Sequence, residues 1–426
     1  MIRGWTALTW LAYPLIVRHL RKRRDRGKEH PTRWREKLGY ASAPRPSGPV
    51  VWCHAVGLGE VLALRGLIVR LSHLRPDVGF VVTSGTRASA DVMARNLPPR
   101  TVHQFVPVDS ATPARRFLDH WRPDLSIWAE QELWPGLVVR TDVRGCPLAL
   151  VNARMTATGH ASRARVRGAY ADMLARFALV SAQSRDTADR LTDLGAGAVR
   201  VDGSLKPIAP PLMADAGALS EVRAQIGTRR VWVLASSHPE DEALAFAAHR
   251  LVLAQDPQAL LIVAPRVPDR RDDMARALDE SGLSHTTRSL GQGPEAQVWL
   301  ADTFGELGLW YRVAQVAYVG GSNSAVEGHN PWEPVILHCP VLHGPRTAHF
   351  TADYRELDAA GAARCATTPS DLAESVVGPG GQTPCALRPM AQATRCLAQD
   401  RMDRLDDLCH RLLDLIPDVV TSDQTS

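Results

Sequence analysis

Acidic and basic side chains recur where a short apolar run gives way to an amphipathic one, the point at which a strand hands over to a helix. The first is Glu60, in His54-Ala55-Val56-Gly57-Leu58-Gly59-Glu60. A carboxylate there suits a general base that deprotonates an acceptor hydroxyl. The ordinary alternative is a helix-start glutamate favoured by the helix dipole. The second is Glu130-Gln131-Glu132-Leu133-Trp134-Pro135. Two acids at a strand end are costly to bury together unless a cation pairs with them. Lys206, in Gly203-Ser204-Leu205-Lys206, is the candidate cation. The alternative is a pair of solvated loop acids.

The second half of the chain repeats the pattern. Ser236-Ser237-His238-Pro239-Glu240-Asp241 reads as serines and acids at a helix start, where they are also ordinary capping residues. Pro265-Arg266 ends an apolar run, and an arginine suits a phosphate or carboxylate bidentately. Asp302-Thr303-Phe304-Gly305-Glu306-Leu307 closes another run and opens a helix whose free N–H groups attract anions. Gly320-Gly321-Ser322 precedes Glu327-Gly328-His329-Asn330-Pro331-Trp332-Glu333-Pro334. There Pro331 fits a first helical turn with Asn330 as its cap; the ordinary reading is a well-capped helix, which is compatible with Glu333 binding ribose hydroxyls. His238, His329 and His343 match no usual metal-ligand spacing.

These positions need strands to hold them. Val50–Ala55, Gly79–Thr83, Leu125–Ala129, Leu148–Val151 and Ala178–Ala182 read as buried strands alternating with helical stretches. Gly203 to Gly227, with Pro207, Pro210 and Pro211, breaks the rhythm and reads as an inter-domain connection. A second series follows at Val231–Ala235, Leu260–Ala264, Val298–Ala301 and Val316–Val319. Arg388 to Leu415 reads as a helix packed across the join. Strands alternating with helices imply parallel sheets covered on both faces, with ligands outside the carboxyl ends of the strands, in a cleft between the domains. Neither half carries G-x-G-x-x-G or a Walker A loop, which argues against a dinucleotide enzyme or an NTPase.

At 426 residues the chain suits two domains. The formal net charge is only +5, yet Arg18 to Lys28 holds seven Lys or Arg residues against Asp25. Such a block suits anionic head groups or is simply a solvated charge run. It follows an uncharged stretch, Gly4 to Val17, containing Trp5, Trp10 and Tyr13. That order is wrong for a secretory signal. The stretch reads as a shallow anchor on the cytoplasmic leaflet, the alternative being a packed first helix. The seven cysteines lack C-x-x-C spacing, which argues against a disulfide framework and a zinc knuckle.

Taken in order, these loops resemble the 3-deoxy-D-manno-octulosonic acid (Kdo) transferases. The likeness runs from Arg33-Trp34-Arg35-Glu36-Lys37-Leu38-Gly39 to Phe350. It includes His54-Ala55-Val56 with Gly59-Glu60, Glu130 with Glu132-Leu133-Trp134-Pro135, and Val151-Asn152-Ala153-Arg154. It continues through Leu205-Lys206, Ser237-His238, Pro265-Arg266, Gly305-Glu306-Leu307, Gly320-Gly321-Ser322 and Gly328-His329-Asn330-Pro331. The resemblance implies an α/β fold of GT-B type, two doubly wound Rossmann-like domains facing a central cleft. It implies a CMP-Kdo donor, lipid IVA as acceptor and the cytoplasmic face of a bacterial inner membrane, without metal, cofactor or nucleic acid. In the family scheme Glu60 is the base, and Glu130 and Lys206 stabilise the transition state. CMP is held by Pro265, Arg266, Phe304, Gly305, Glu306, Asn330, Pro331, Trp332 and Glu333.

The corresponding segments are 1–30 (anchor and basic stretch), 31–205 (acceptor domain), 206–228 (linker), 229–416 (CMP-sugar domain) and 417–426 (tail). Val267, Gly136, Gly159-His160-Ala161, Pro207-Ile208 and Glu327 depart from the family pattern. The departures leave open a GT-B relative using another donor such as a UDP-sugar, or a non-catalytic membrane-bound paralogue.

Overall fold

The computed structural model describes residues 9, 11–56, 58–95, 97–130, 133–205, 211–378 and 383–417, the side chains of 58–60, 62, 88, 92, 95 and 383–386 excepted. The chain forms two compact units, Met1–Pro210 with Met402–Ser426, and Pro211–Arg401.

The first unit is built on seven parallel strands: β1 (Val50–His54), β2 (Gly79–Ser84), β3 (Thr101–Phe105), β4 (Leu125–Ala129), β5 (Leu148–Ala153), β6 (Phe177–Ala182) and β7 (Val199–Val201). Their order is β3-β2-β1-β4-β5-β6-β7. β1, β2, β4 and β5 are buried along their whole length, as strands covered on both faces must be. Alternate residues feed opposite cores. Val51 and Cys53 join Leu64, Leu67 and Ile68, while Val50 and Trp52 join Phe117, Trp121 and Trp128.

The Arg33-to-Leu38 motif is structural. Its short 3₁₀ turn is clamped to β3 by Glu36, which is 1% exposed. Glu36 accepts from Arg33 Nε at 2.7 Å and from the Phe105 N–H at 2.7 Å. Arg33 also donates to the His103 carbonyl at 2.7 Å. Helix Tyr13–Asp25 docks beside this turn, burying Leu20 against Trp34 and Leu38. The expected anchor therefore divides. Tyr13, Ile16 and Val17 pack on the unit, whereas Leu11 and Leu15 are 68% and 70% exposed. Trp5 and Trp10 lie outside the described residues. Among the described residues no helix is long and apolar enough to cross a membrane.

The second unit repeats the plan with β8 (Val231–Ser237), β9 (Leu260–Pro265), β10 (His285–Thr287), β11 (Val298–Leu300), β12 (Val316–Val319), β13 (Val341–His343) and β14 (Ala363–Cys365). All are parallel, in the order β10-β11-β9-β8-β12-β13-β14.

Two expected boundaries move. The supposed linker 206–228 contains helix Ala216–Ile226, capped by Asp215 Oδ1 at 2.8 Å from the Ala218 N–H. Its Val222 and Ile226 join Leu309 and Trp310 in the core of the second unit, so that stretch is domain. The C-terminal helix Thr383–Leu413 does not belong wholly to the second unit. Its Leu405, Leu408 and Leu412 complete the core around Val51 and Leu64, so apolar burial assigns 402–416 to the first unit.

Candidate active site

In the first sheet the strand order reverses between β1 and β4, and ligands bind open parallel sheets at such a switch point. Glu60 lies in the first turn of helix Leu58–Leu74, directly after β1. Glu130 is the first residue after β4. β1 and β4 are adjacent and parallel, so the topology brings both positions to the same crevice. The Glu60 side chain, Gln131, Glu132 and Lys206 lie outside the described residues.

Glu130 is half-buried and holds φ +60°, a left-handed conformation that costs a side-chain-bearing residue about 1–3 kcal/mol. Its N–H donates to the Val151 carbonyl at 3.1 Å, which fixes the loop to β5. Asn152, φ +54°, is buried beside it. Its Oδ1 accepts from the Leu205 N–H at 2.9 Å, and its carbonyl accepts from Gln183 Nε2 at 2.9 Å. Asn152 thus anchors the residue immediately before Lys206 at the end of β5. At the other end of the loop, Asp109 receives the N–H groups of Gly136 and Leu137 at 3.0 and 2.7 Å. It thereby caps helix Pro135–Val143. A Cβ on Gly136 would stand 2.5 Å from Asp109 Oδ1, so the glycine here is the partner of that carboxylate.

In the second sheet the order reverses between β8 and β12. Asp241, buried in the first turn of helix Pro239–Gln255, joins the two loops. It accepts from the His238 N–H at 3.1 Å, the Gly321 N–H at 2.7 Å and the Asn323 N–H at 3.2 Å. Burial raises its carboxyl pKa, and these donors act against that shift. Ser237 Oγ donates to Glu242 at 2.8 Å, and Arg270 grips both Glu242 oxygens at 3.0 Å.

Arg266 follows β9, its N–H on the Ser237 carbonyl at 3.2 Å and its side chain exposed. Among the described residues its guanidinium has no ion-pair partner. Burial raises the Glu333 carboxyl pKa, opposed by a hydrogen bond from Asn330 and by the charge of Arg266. Asn330 Oδ1 caps the Trp332 N–H at 3.1 Å. Phe304 is 78% exposed, and Gly305 has φ +83°. Glu306 is held by Arg288 at 3.0 Å and by the Thr303 hydroxyl.

Pro265 and Pro331 are buried. Trp332 is 1% exposed, its Nε1 on Asp353 at 2.9 Å and the Arg401 guanidinium 5.1 Å from its ring. Its side chain is therefore core. Glu327 holds φ +62°, a conformation that favours glycine, and it pairs with Arg346 at 2.5 Å. Among the described residues no three His, Cys, Asp or Glu side chains gather as a metal-ligand set.

Two Rossmann-like units, each a seven-stranded parallel sheet, make this an α/β protein of the GT-B class. Residues 32–208 match the family described as 3-Deoxy-D-manno-octulosonic-acid transferase (kdotransferase). The chain is 32% identical over 360 residues to a protein of Arabidopsis thaliana named "Probable 3-deoxy-D-manno-octulosonic acid transferase, mitochondrial", covering 82% of this chain and 80% of that one. It is 34% identical to the 3-deoxy-D-manno-octulosonic acid transferase of Bordetella pertussis, over 76% of this chain and 77% of the relative. Among solved structures it is similar to the C-terminal CMP-Kdo binding domain of WaaA from Acinetobacter baumannii. That likeness has 30% identity and a TM-score of 0.39, and covers 44% of this chain and 96% of that one. The chain belongs to the 3-deoxy-D-manno-octulosonic acid transferase family and is a glycosyltransferase.

Proposed function

We propose that this chain transfers Kdo from CMP-Kdo to a lipid A precursor of the lipid IVA type. The observation that carries the reading is the placement of two acids, Glu60 and Glu130, at the β1/β4 switch point of a chain belonging to the Kdo transferase family. In this reading Glu60 takes the proton from an acceptor hydroxyl. The oxygen attacks C2 of Kdo, the bond from C2 to the phosphate oxygen breaks with inversion, and CMP leaves with the electron pair. Arg266 and backbone N–H groups near Gly305 neutralise the departing phosphate, because fixed donors and charges aimed at developing negative charge lower the barrier most. Glu130 and Lys206 balance charge near the reacting centre. Glu333 and Asn330 hold the nucleoside, and Phe304 offers an exposed ring to the base.

The acceptor's lipid character fits a chain working at the cytoplasmic face of a membrane. Arg18, Arg21, Lys22, Arg26 and Lys28 are exposed on and just after helix Tyr13–Asp25. Each basic residue near an anionic surface contributes about 1 kcal/mol. Calorimetry with CMP and UDP tests the donor assignment. CMP should bind the full-length protein and UDP should bind more weakly. Tighter binding of UDP would replace the donor with a UDP-sugar.

A further inference from the structure

The β8/β12 switch point holds a pair of imidazoles that the transfer reaction above leaves unused. His238 comes from the loop after β8 and His329 from the loop after β12. Their Nε2 atoms lie 3.0 Å apart and their rings are nearly coplanar in orientation, 16° between planes. Both backbones are pinned. The His238 N–H is on Asp241, which also holds Gly321, and the His329 carbonyl accepts from the Tyr354 hydroxyl at 3.0 Å. Both side chains are half-buried.

Two facing Nε2 atoms at this distance are joined by a single proton, one ring donating and the other accepting through its lone pair. A second proton would set two N–H groups head to head, and only an oxygen anion entering beside them could then accept from both. The neighbouring charge suits an anion. His329 feels Arg266 and His349 as well as His238, and with burial as the leading cause its pKa is pushed down to about 4. The nearby carboxylates are otherwise engaged. Asp241 is occupied by the loop N–H groups, and Glu333 faces Arg266 and Asn330.

We propose that His238 and His329 form a proton-linked phosphate site, in which an entering phosphate replaces the imidazole–imidazole hydrogen bond and the pair takes one proton from solution. Resting on the CMP-donor reading, this makes the phosphate of CMP the ligand. CMP released by transfer is a phosphomonoester and carries more charge than the phosphodiester of CMP-Kdo. The pair therefore holds product more tightly at lower pH.

The test is nitrogen NMR of the full-length protein carrying ¹⁵N-histidine, the pair being assigned with H238Q and H329Q. Without ligand at neutral pH, one Nε2 of the pair gives the signal of an unprotonated ring nitrogen. Saturating inorganic phosphate or CMP should convert it to a protonated one, and cytidine should not. CMP binding that leaves the nitrogen unprotonated would overturn the inference while sparing the donor reading. Protonation by inorganic phosphate without any CMP binding would do the reverse. Failure of both probes to bind overturns the pair as a phosphate site. Calorimetry in buffers of different ionisation enthalpy adds a second readout. Wild type should take up about one proton per CMP, and H329Q should take up almost none with an unchanged melting temperature. Loss of one charge-assisted hydrogen bond should weaken CMP about tenfold or more below neutral pH and much less above it.

Discussion

Glu130 allows the backbone strain of the acid loop to be separated from its chemistry. Its φ of +60° is one that glycine adopts freely. For an L-residue the left-handed region costs about 1–2 kcal/mol, and glycine gives back roughly 0.5–1 kcal/mol in unfolded-chain entropy relative to alanine. Glu130→Gly and Glu130→Ala lose the same carboxylate and its contacts, and both keep the N–H bond to Val151 at 3.1 Å. The difference between them therefore reports the strain less the glycine entropy term, and Glu130→Gly should be the more stable by up to about 1 kcal/mol. In a unit of this size that is a melting-temperature gap of about 2–4 °C, read by a thermal melt of the two variants side by side. Both variants should lose sugar transfer. An alanine variant more stable than the glycine variant would refute the strain argument. Near-normal turnover in either variant would remove the Glu130 carboxylate from the machinery.

Glu60→Gln should lower turnover by about 10²–10⁴ at saturating acceptor while CMP affinity, read by calorimetry, stays unchanged. Arg266→Ala should weaken CMP by roughly 1.5–3 kcal/mol, the worth of a hydrogen bond to a charged group, and unchanged affinity would take Arg266 out of the site. Burial depresses the pKa of His54 to about 3 and of His103 and His249 to about 4. The unfolded state, with histidine near 6.5, therefore binds more protons in the interval between. Stability present above pH 6.5 is thus lost as pH falls toward 4, by on the order of a few kcal/mol in each unit. Denaturant midpoints that do not move between pH 7 and 5 would contradict this. Deleting Met1 to Val17 should leave residual vesicle binding that is salt-sensitive, since screening acts on charge and not on apolar burial. Equal partitioning of truncated and full-length protein at high salt would make the segment a packed helix only.

The central strands were legible because they are continuous apolar runs. β3 was not, since Thr101–Phe105 buries His103 and Gln104. Their partners, Ser84, Arg33 and Trp121, come from elsewhere in the chain, and no local period records that. β7, β10, β13 and β14 span three residues each, too few to show a pattern. The loop positions Glu60, Glu130 and Arg266 could be read from strand ends, and Glu333 from a Pro-led helix start. Asp109 could not, and Asn152 and Asp241 could be placed only locally, because the backbone N–H groups they hold include those of distant loops. Two departures from the family pattern acquire reasons only in three dimensions. Gly136 makes room for the Asp109 carboxylate, and Glu327 keeps glycine's backbone conformation while pairing with Arg346. Val267 is 47% exposed, and nothing in the structure explains its departure from the family pattern.

The most direct measurement is a transfer assay with CMP-Kdo and lipid IVA, with the lipid products read by mass spectrometry. Lipid carrying added Kdo, with CMP released in step and both abolished in Glu60→Gln, is the predicted result. Unmodified lipid IVA with an intact, CMP-binding protein would contradict the proposed reaction.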